Sequence, residues 1–244
     1  MSREWDGAAY QQVARPHAGW AATVLDRLEL AGDEVVLDAG CGSGKVTEQL
    51  LARLPQGRVI GVDGSALMLE EARRRLHAHL DRVSFVHADL AQPLPVGPVD
   101  AVVSSATFHW IADHGALFAN LAAVLHPGGH LSAQCGGVGN VSEVQRALDS
   151  LGIEVPNPWH FATPEEAEAD LAGAGFVDIG AWLTRDVVTI PPRELETYLA
   201  TVMLGAHLER LPESDRPELI RSVAERVPGG HIDYVRLNLV ARRP

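Results

Sequence analysis

An α/β fold built on a mostly parallel sheet is predicted by three observations. The first two thirds of the chain alternate short apolar runs with helix-length amphipathic segments. The runs at 35–37 and 101–103 are continuously apolar, as strands covered on both faces require. The first run ends in Val36-Leu37-Asp38 and meets Gly40-Cys41-Gly42-Ser43-Gly44, where glycine recurs at alternate positions. A strand that stops at such a loop is built for close backbone approach to a ligand.

The elements follow in order. Residues 1–16 form an arm and 18–30 a helix. A strand at 35–38 leads through the glycine loop to a helix at 45–54. A second strand, 58–63, is followed by a helix at 65–79 with Ser65 placed to cap it. A third strand occupies 83–87. Pro93-Leu94-Pro95 and Gly97-Pro98 mark the loop before a fourth strand at 99–104. A helix at 117–125 ends at His126-Pro127-Gly128-Gly129, which turns into a fifth strand at 130–134. Beyond that the pattern loosens. Thr163 and Pro164 open a helix over 163–174, closed by Gly173 and Gly175. Residues 176–190 alternate as a long strand with a bend, 192–211 and 213–227 read as helices, and 231–240 alternate as a last strand through Ile232, Tyr234, Leu237 and Leu239. Repeats, low-complexity tracts and linkers are absent from the sequence, so residues 1–244 read as one domain. It has an arm and helix at 1–30, a core at 31–135 and a helical insertion at 191–228.

Composition narrows the function classes. Of the 244 residues, 46% are hydrophobic, enough for a full core. A net charge of −12 repels phosphate backbones and argues against nucleic acid. It leaves a small anionic acceptor open, because the local potential of a pocket decides that. Cys41 and Cys135 have neither CxxC nor metal-ligand spacing, so no metal is expected and a reducing cytoplasm is. No signal peptide or apolar span of membrane length is expected.

Three ligand classes use a strand, a glycine loop and a helix. A Walker A loop needs a hydroxyl after its lysine, whereas Val46 follows Gly44-Lys45. A dinucleotide loop, GxGxxG, would have glycine where Lys45 stands, and Asp38 would repel a pyrophosphate. S-adenosylmethionine carries a sulfonium and an ammonium, so a carboxylate at the strand tip is favourable. That ligand also calls for an acid at the second strand tip, met by Asp63-Gly64-Ser65, and a polar residue after the third, met by Asp89-Leu90. Each acid alone could be a turn or cap residue. Their agreement with the loop favours the cofactor.

These residues resemble the class I S-adenosylmethionine-dependent methyltransferases. The resemblance implies a Rossmann-like fold with a mostly parallel seven-stranded sheet, an antiparallel final strand and a C-terminal helical insertion. It implies cofactor contacts from Asp38, Gly40, Cys41, Gly42, Asp63, Gly64, Met68, Asp89, Leu90 and Ser105. Two segments narrow it. Trp5-Asp6-Gly7-Ala8-Ala9-Tyr10 resembles the N-terminal arm of the trans-aconitate and juvenile hormone acid methyltransferase group, and Ser104-Ser105-Ala106-Thr107-Phe108-His109-Trp110 resembles its segment after the fourth strand. His17 stands where many relatives carry glutamine.

The expected reaction is O-methylation of a small carboxylic acid, with Trp110 as a pocket wall, His109 as a donor to the acceptor oxygen, and Tyr10 and His17 closing the site. A carboxylate is ionised at neutral pH and needs no base. O-methylation of a hydroxyl, with His109 or His17 as base, C-methylation of an alkene or prenyl-type acceptor, and non-catalytic cofactor binding are the alternatives. A nicotinamide-dependent oxidoreductase is the alternative that Lys45 and Asp38 disfavour. Tyr198, Met203 and His207 could roof the acceptor pocket, and Arg185 or Arg193 could meet a substrate anion. The partner is a small molecule, and the chain a monomer or homodimer.

Overall fold

The computed structural model describes residues 18–152 and 158–244. Seven strands form one sheet in the order β3-β2-β1-β4-β5-β7-β6. They are β1 Val35–Ala39, β2 Arg58–Asp63, β3 Val83–His87, β4 Val99–Ser105, β5 Leu125–Gly136, β6 Val177–Thr189 and β7 His231–Arg242. β1 pairs in parallel with β2 and β4, β2 with β3, and β4 with β5. β7 runs antiparallel to both β5 and β6. This is the Rossmann-like sheet expected, final antiparallel strand included. The strand order reverses between β1 and β4, so their carboxyl ends open a crevice of the kind in which such sheets hold ligands.

The helices cover both faces. Those of the first part are α1 Ala18–Leu25, α2 Lys45–Arg53, α3 Ala66–Arg75 and α4 His114–Val124. Their entries follow local chemistry: the Ser65 hydroxyl accepts from Met68 N at 3.3 Å, and the Asp113 carboxylate accepts from Ala116 N at 2.8 Å. Apolar side chains on both faces of the sheet, Leu37 and Val102 on one and Val36 and Val103 on the other, are nearly inaccessible to water. No described helix is long and apolar enough to cross a membrane.

Several expected boundaries shift for identifiable reasons. α1 stops at Leu25 instead of 30, and β4 runs one residue further, to Ser105. The helix after β2 breaks at Leu76 into a 3₁₀ turn, His77–His79. Asp113 starts α4 three residues before the expected 117. His126-Pro127-Gly128-Gly129 is a bulge inside β5 rather than a turn before it, because Val99 pairs with Leu125 while Ala101 already pairs with His130. The bend in β6 is a bulge between Val177 and Gly180, with Asp178 at φ 52°.

The second part adds α5 Ser142–Ser150, α6 Pro164–Gly173, α7 Pro192–Tyr198, α8 Gly205–Leu208 and α9 Arg216–Ala224. α6 opens with the predicted Thr163 cap, completed by Glu166 as a capping box. The helix expected over 192–211 is broken: Leu199–Met203 is a π turn, in which Leu204 N donates to Leu199 O at 2.8 Å, and Gly205 begins a separate turn. α5 has no counterpart in the sequence reading. Its start lacks a local cap, since Val141 occupies that place at φ 49°. The cap comes from β7 instead, where the Asp233 carboxylate accepts from Ser142 Oγ and Glu143 N.

Candidate active site

Asp38 ends β1 almost wholly buried. Its Oδ2 accepts from the Thr47 hydroxyl of α2 at 2.7 Å, while its Oδ1 is buried without a hydrogen-bond partner among the described residues. Burial, partly offset by the bond from Thr47 and reinforced by the charge of nearby Asp63, pushes its pKa up to about 7. A buried carboxylate with an orphaned oxygen beside a second acid suits a cation and repels an anion.

The loop after Asp38 is held from behind and open in front. Gly40 N and Cys41 N both donate to Val62 O, at 2.8 and 3.0 Å. Gly40 has φ 82°, and a Cβ there would lie 2.1 Å from Thr107 Oγ1. Gly42 has φ 51°, and a Cβ there would meet nothing within 4 Å. Gly42 therefore faces free space at the carboxyl edge of the sheet, where a ligand backbone can lie. The Cys41 side chain turns away into the fold against Gly61, and burial pushes its thiol well above the ordinary range. Only the Cys41 main chain is presented to the loop.

Asp63 closes the adjoining side. Its Oδ2 accepts from Gly42 N at 2.8 Å and its Oδ1 from Ser65 N at 2.9 Å, so one carboxylate ties the glycine loop to the entry of α3. Gly64 O accepts from His87 Nε2 at 2.9 Å. Met68 is buried in the first turn of α3. Asp89 is exposed just past β3 and accepts from Ala91 N at 3.0 Å, and the Leu90 carbonyl accepts from Asn120 Nδ2 at 3.1 Å. Thus the strand tips bring Asp38, Gly40, Gly42, Asp63, Gly64, Asp89 and Ser105 to one edge of the sheet.

A cavity of about 50 Å³ adjoins this edge. It begins at Ala106, which leaves β4 at φ 60°, a conformation that non-glycine residues adopt at a cost. The next turn, Phe108–Trp110, sets His109 and Trp110 in the wall. Gly136 N donates to His109 Nδ1 at 3.2 Å. In the neutral ring that bond puts the proton on Nε2 and makes Nε2 a donor. The rest of the wall comes from segments distant in sequence: Trp20 of α1, Asn140 and Val141, Trp159 and Phe161, Val202 and Met203 of the π turn, and Tyr234 and Arg236 of β7. The Arg236 guanidinium sits 4.1 Å over the Trp20 ring. Trp159 and Phe161 stack with centroids 5.5 Å apart.

Several expected residues fall elsewhere. Met203 lines the cavity, whereas Tyr198 is buried with its hydroxyl on that of Tyr234, and the His207 ring packs 5.9 Å from Trp159. Arg185 and Arg193 are exposed, Arg193 beside Glu194, and neither lines the cavity. Trp5, Tyr10 and His17 lie outside the described residues. The sequence reading missed Arg236, although a signal existed. Apolar positions in the last strand change parity between Tyr234 and Leu237, which puts Arg236 on the same face as Ile232 and Tyr234.

Residues 36–129 match the family model described as a methyltransferase domain. The chain is 36% identical over 188 residues to a trans-aconitate 2-methyltransferase of Methylobacterium nodulans, covering 77% of this chain and 70% of that protein. The chain belongs to the class I S-adenosylmethionine-dependent methyltransferases, in the trans-aconitate group. A second such relative, from Acidovorax sp. strain JS42, is 40% identical over 131 residues, which span 54% of this chain and about half (49%) of that protein. Among solved structures, Haemonchus contortus phosphoethanolamine N-methyltransferase 2 in complex with S-adenosylmethionine superposes with a TM-score of 0.65 at 21% identity, over 98% of this chain and 56% of that one. It shares the fold.

The site fits the family's cofactor on its own evidence: an orphaned buried carboxylate oxygen for a cation and open space in front of Gly42. Asp63→Ala is expected to weaken S-adenosylhomocysteine binding in a calorimetric titration by about tenfold or more. It strands the Gly42 and Ser65 amides, at about 1–3 kcal/mol for a buried donor, and frees the loop. An unchanged Kd would reduce Asp63 to a helix-entry cap.

Proposed function

We propose that this methyltransferase esterifies the carboxylate of a small organic acid. The cofactor is held by Asp38, the glycine loop, Asp63, Met68 and Asp89, and the acid lies in the cavity walled by His109, Trp110 and Arg236. The observation that carries the reading is the bond from Gly136 N to His109 Nδ1. It presents His109 as a hydrogen-bond donor, which suits an acceptor oxygen that is already ionised and needs no base. The trans-aconitate methyltransferase relatives support the same acceptor class.

When bound, S-adenosylmethionine supplies a methyl whose bond to cationic sulfur breaks, the electron pair staying on sulfur, as a carboxylate oxygen takes it, so no proton has to move. The chain's own residues supply position and environment. His109 Nε2–H and the Arg236 guanidinium orient the acid, with Arg236 supplying charge as well. Trp20, Trp110, Trp159 and Phe161 exclude water, which removes hydration from the acid's reacting oxygen. Asp38 and Asp63 keep the cofactor end of the site negative.

The test is the chemistry of the product. Label from the methyl donor should appear in a base-labile ester and not in an ether or a C-methyl group. His109→Ala should lower kcat/KM for the acid by about 10- to 100-fold, the worth of one hydrogen bond to a charged group, with S-adenosylhomocysteine affinity within about twofold. Unaltered turnover would make His109 a structural residue.

A further inference from the structure

We infer that Asn140 binds the acid as a neutral hydrogen-bond donor, its side-chain amide holding the carboxylate oxygen that does not take the methyl. The inference rests on the carboxylate reading above and adds a substrate-binding residue to the same site. The first argument follows the polar atoms of Asn140 one by one. The residue is buried, only 3% exposed, in the wall of the cavity. Its main-chain N donates to Gly137 O at 2.9 Å, and its main-chain O accepts from Gln145 Nε2 at 2.8 Å. Its Oδ1 accepts from Val235 N at 2.9 Å, taking the place of a backbone carbonyl opposite β7 just beyond the end of β5. A backbone N–H can only donate, so this bond fixes the amide's orientation and leaves Nδ2 to be satisfied. None of the described residues accepts from Nδ2. A donor in a buried wall calls for an acceptor, and an oxygen of the bound molecule supplies one.

The second argument is position. Gly136 N donates to His109 Nδ1 at 3.2 Å, and a Cβ on Gly136 would lie 2.8 Å from Asn140 Nδ2 and 2.6 Å from Phe161 Cε1. The missing side chain at 136 therefore makes room for the amide beside the residue that orients His109. The third argument is chemical. One carboxylate oxygen bonds to the methyl carbon as the bond from that carbon to sulfur breaks, and the electron pair stays on sulfur. The other oxygen becomes the ester carbonyl and accepts a hydrogen bond before and after transfer. A neutral amide suits that oxygen, because it draws less electron density from the attacking one than a full charge would. A contact kept throughout the reaction contributes to binding, so its loss falls on KM.

The experiment uses the full chain, with trans-aconitate, citrate, cinnamate and octanoate as probe acids. Each is titrated into the S-adenosylhomocysteine complex, and ester formation with the methyl donor gives kcat and KM. Asn140→Asp keeps an acceptor for Val235 N and replaces the donor with an oxygen. For the acid that binds best it should raise KM by about tenfold or more, with kcat within about threefold and S-adenosylhomocysteine affinity within about twofold. The loss relative to the wild type should deepen between about pH 6 and pH 9, as the new carboxylate ionises and repels the acid. A purely structural role predicts no such trend. In the wild type, the Asn140 Nδ2 protons, assigned by NMR through their proximity to the Val235 amide, should move downfield when the acid joins the S-adenosylhomocysteine complex. Unchanged KM at every pH in a folded Asn140→Asp, or Nδ2 resonances that ignore the acid, overturns the inference and leaves the carboxylate reading standing. S-adenosylhomocysteine binding with no response to any of the acids overturns both. Should Asn140→Asp fail to fold, the wild-type resonances decide alone.

Discussion

Cofactor affinity should rise about tenfold between about pH 6 and pH 8 and then level off, with a proton released on binding at the lower pH. The cause is Asp38. Burial raises its pKa to about 7, so at neutrality about half of it is protonated before the cofactor binds. A cationic ligand binds the ionised form, and below pH 7 each unit of acidification costs about one unit of affinity in logarithm. Stability runs the other way. The folded pKa lies above the unfolded value of about 3.9, so the native state holds more protons between about pH 4 and 7 and loses stability as pH rises through that window. The cofactor's cation offsets that loss, and the thermal shift it produces should grow with pH. Calorimetry in two buffers of different ionisation enthalpy reads the released proton. Asp38→Asn should abolish the pH dependence and lower affinity throughout. A Kd independent of pH in the wild type would place the cofactor's positive charge away from Asp38.

Two neighbouring glycines should fail in different ways. Gly40→Ala meets Thr107 at 2.1 Å from Oγ1 and 2.2 Å from Cγ2, on a backbone with φ 82°. Thr107 cannot swing aside freely, because it is branched at Cβ and its hydroxyl donates to Gly40 O at 3.2 Å and Ser105 O at 3.3 Å. Overpacking and the left-handed backbone together should cost about 3 kcal/mol, or roughly 6–12 °C in Tm, and disorder the loop. Gly42→Ala has open space around its new methyl, and φ 51° suits the left-handed well, so the cost to stability should be about 1 kcal/mol. Its methyl projects where the cofactor must lie, so binding should fall by about tenfold or more while the fold persists. Thermal melts with S-adenosylhomocysteine titrations separate the two. Full affinity in Gly42→Ala would mean that the cofactor does not approach that face of the loop.

What could be read from the sequence was local. The parallel core, the glycine loop and the acids at its strand tips depend on short apolar runs and turn residues, and each lies within a few positions of the element it ends. Caps such as Ser65 and Thr163 were legible for the same reason. The acceptor cavity was not, because its walls meet only in three dimensions: Trp20, His109, Trp159 and Arg236 come from four separate segments. α5 was illegible because its cap, Asp233, is supplied by a strand about ninety residues later. The late helices were drawn too long because a π turn changes period where the apolar pattern continues. Arg236 was a missed residue with a usable signal, a charge on the strand face that Ile232 and Tyr234 share.

The most direct test of the account is a crystal structure of the full chain with S-adenosylhomocysteine. The account predicts the adenosine end between Asp63 and Asp89, the amino-acid end over Gly40 and Gly42 near Asp38, and the thioether sulfur turned toward the cavity of His109 and Arg236. A sulfur facing away from that cavity, or a ligand seated off the glycine loop, would contradict it.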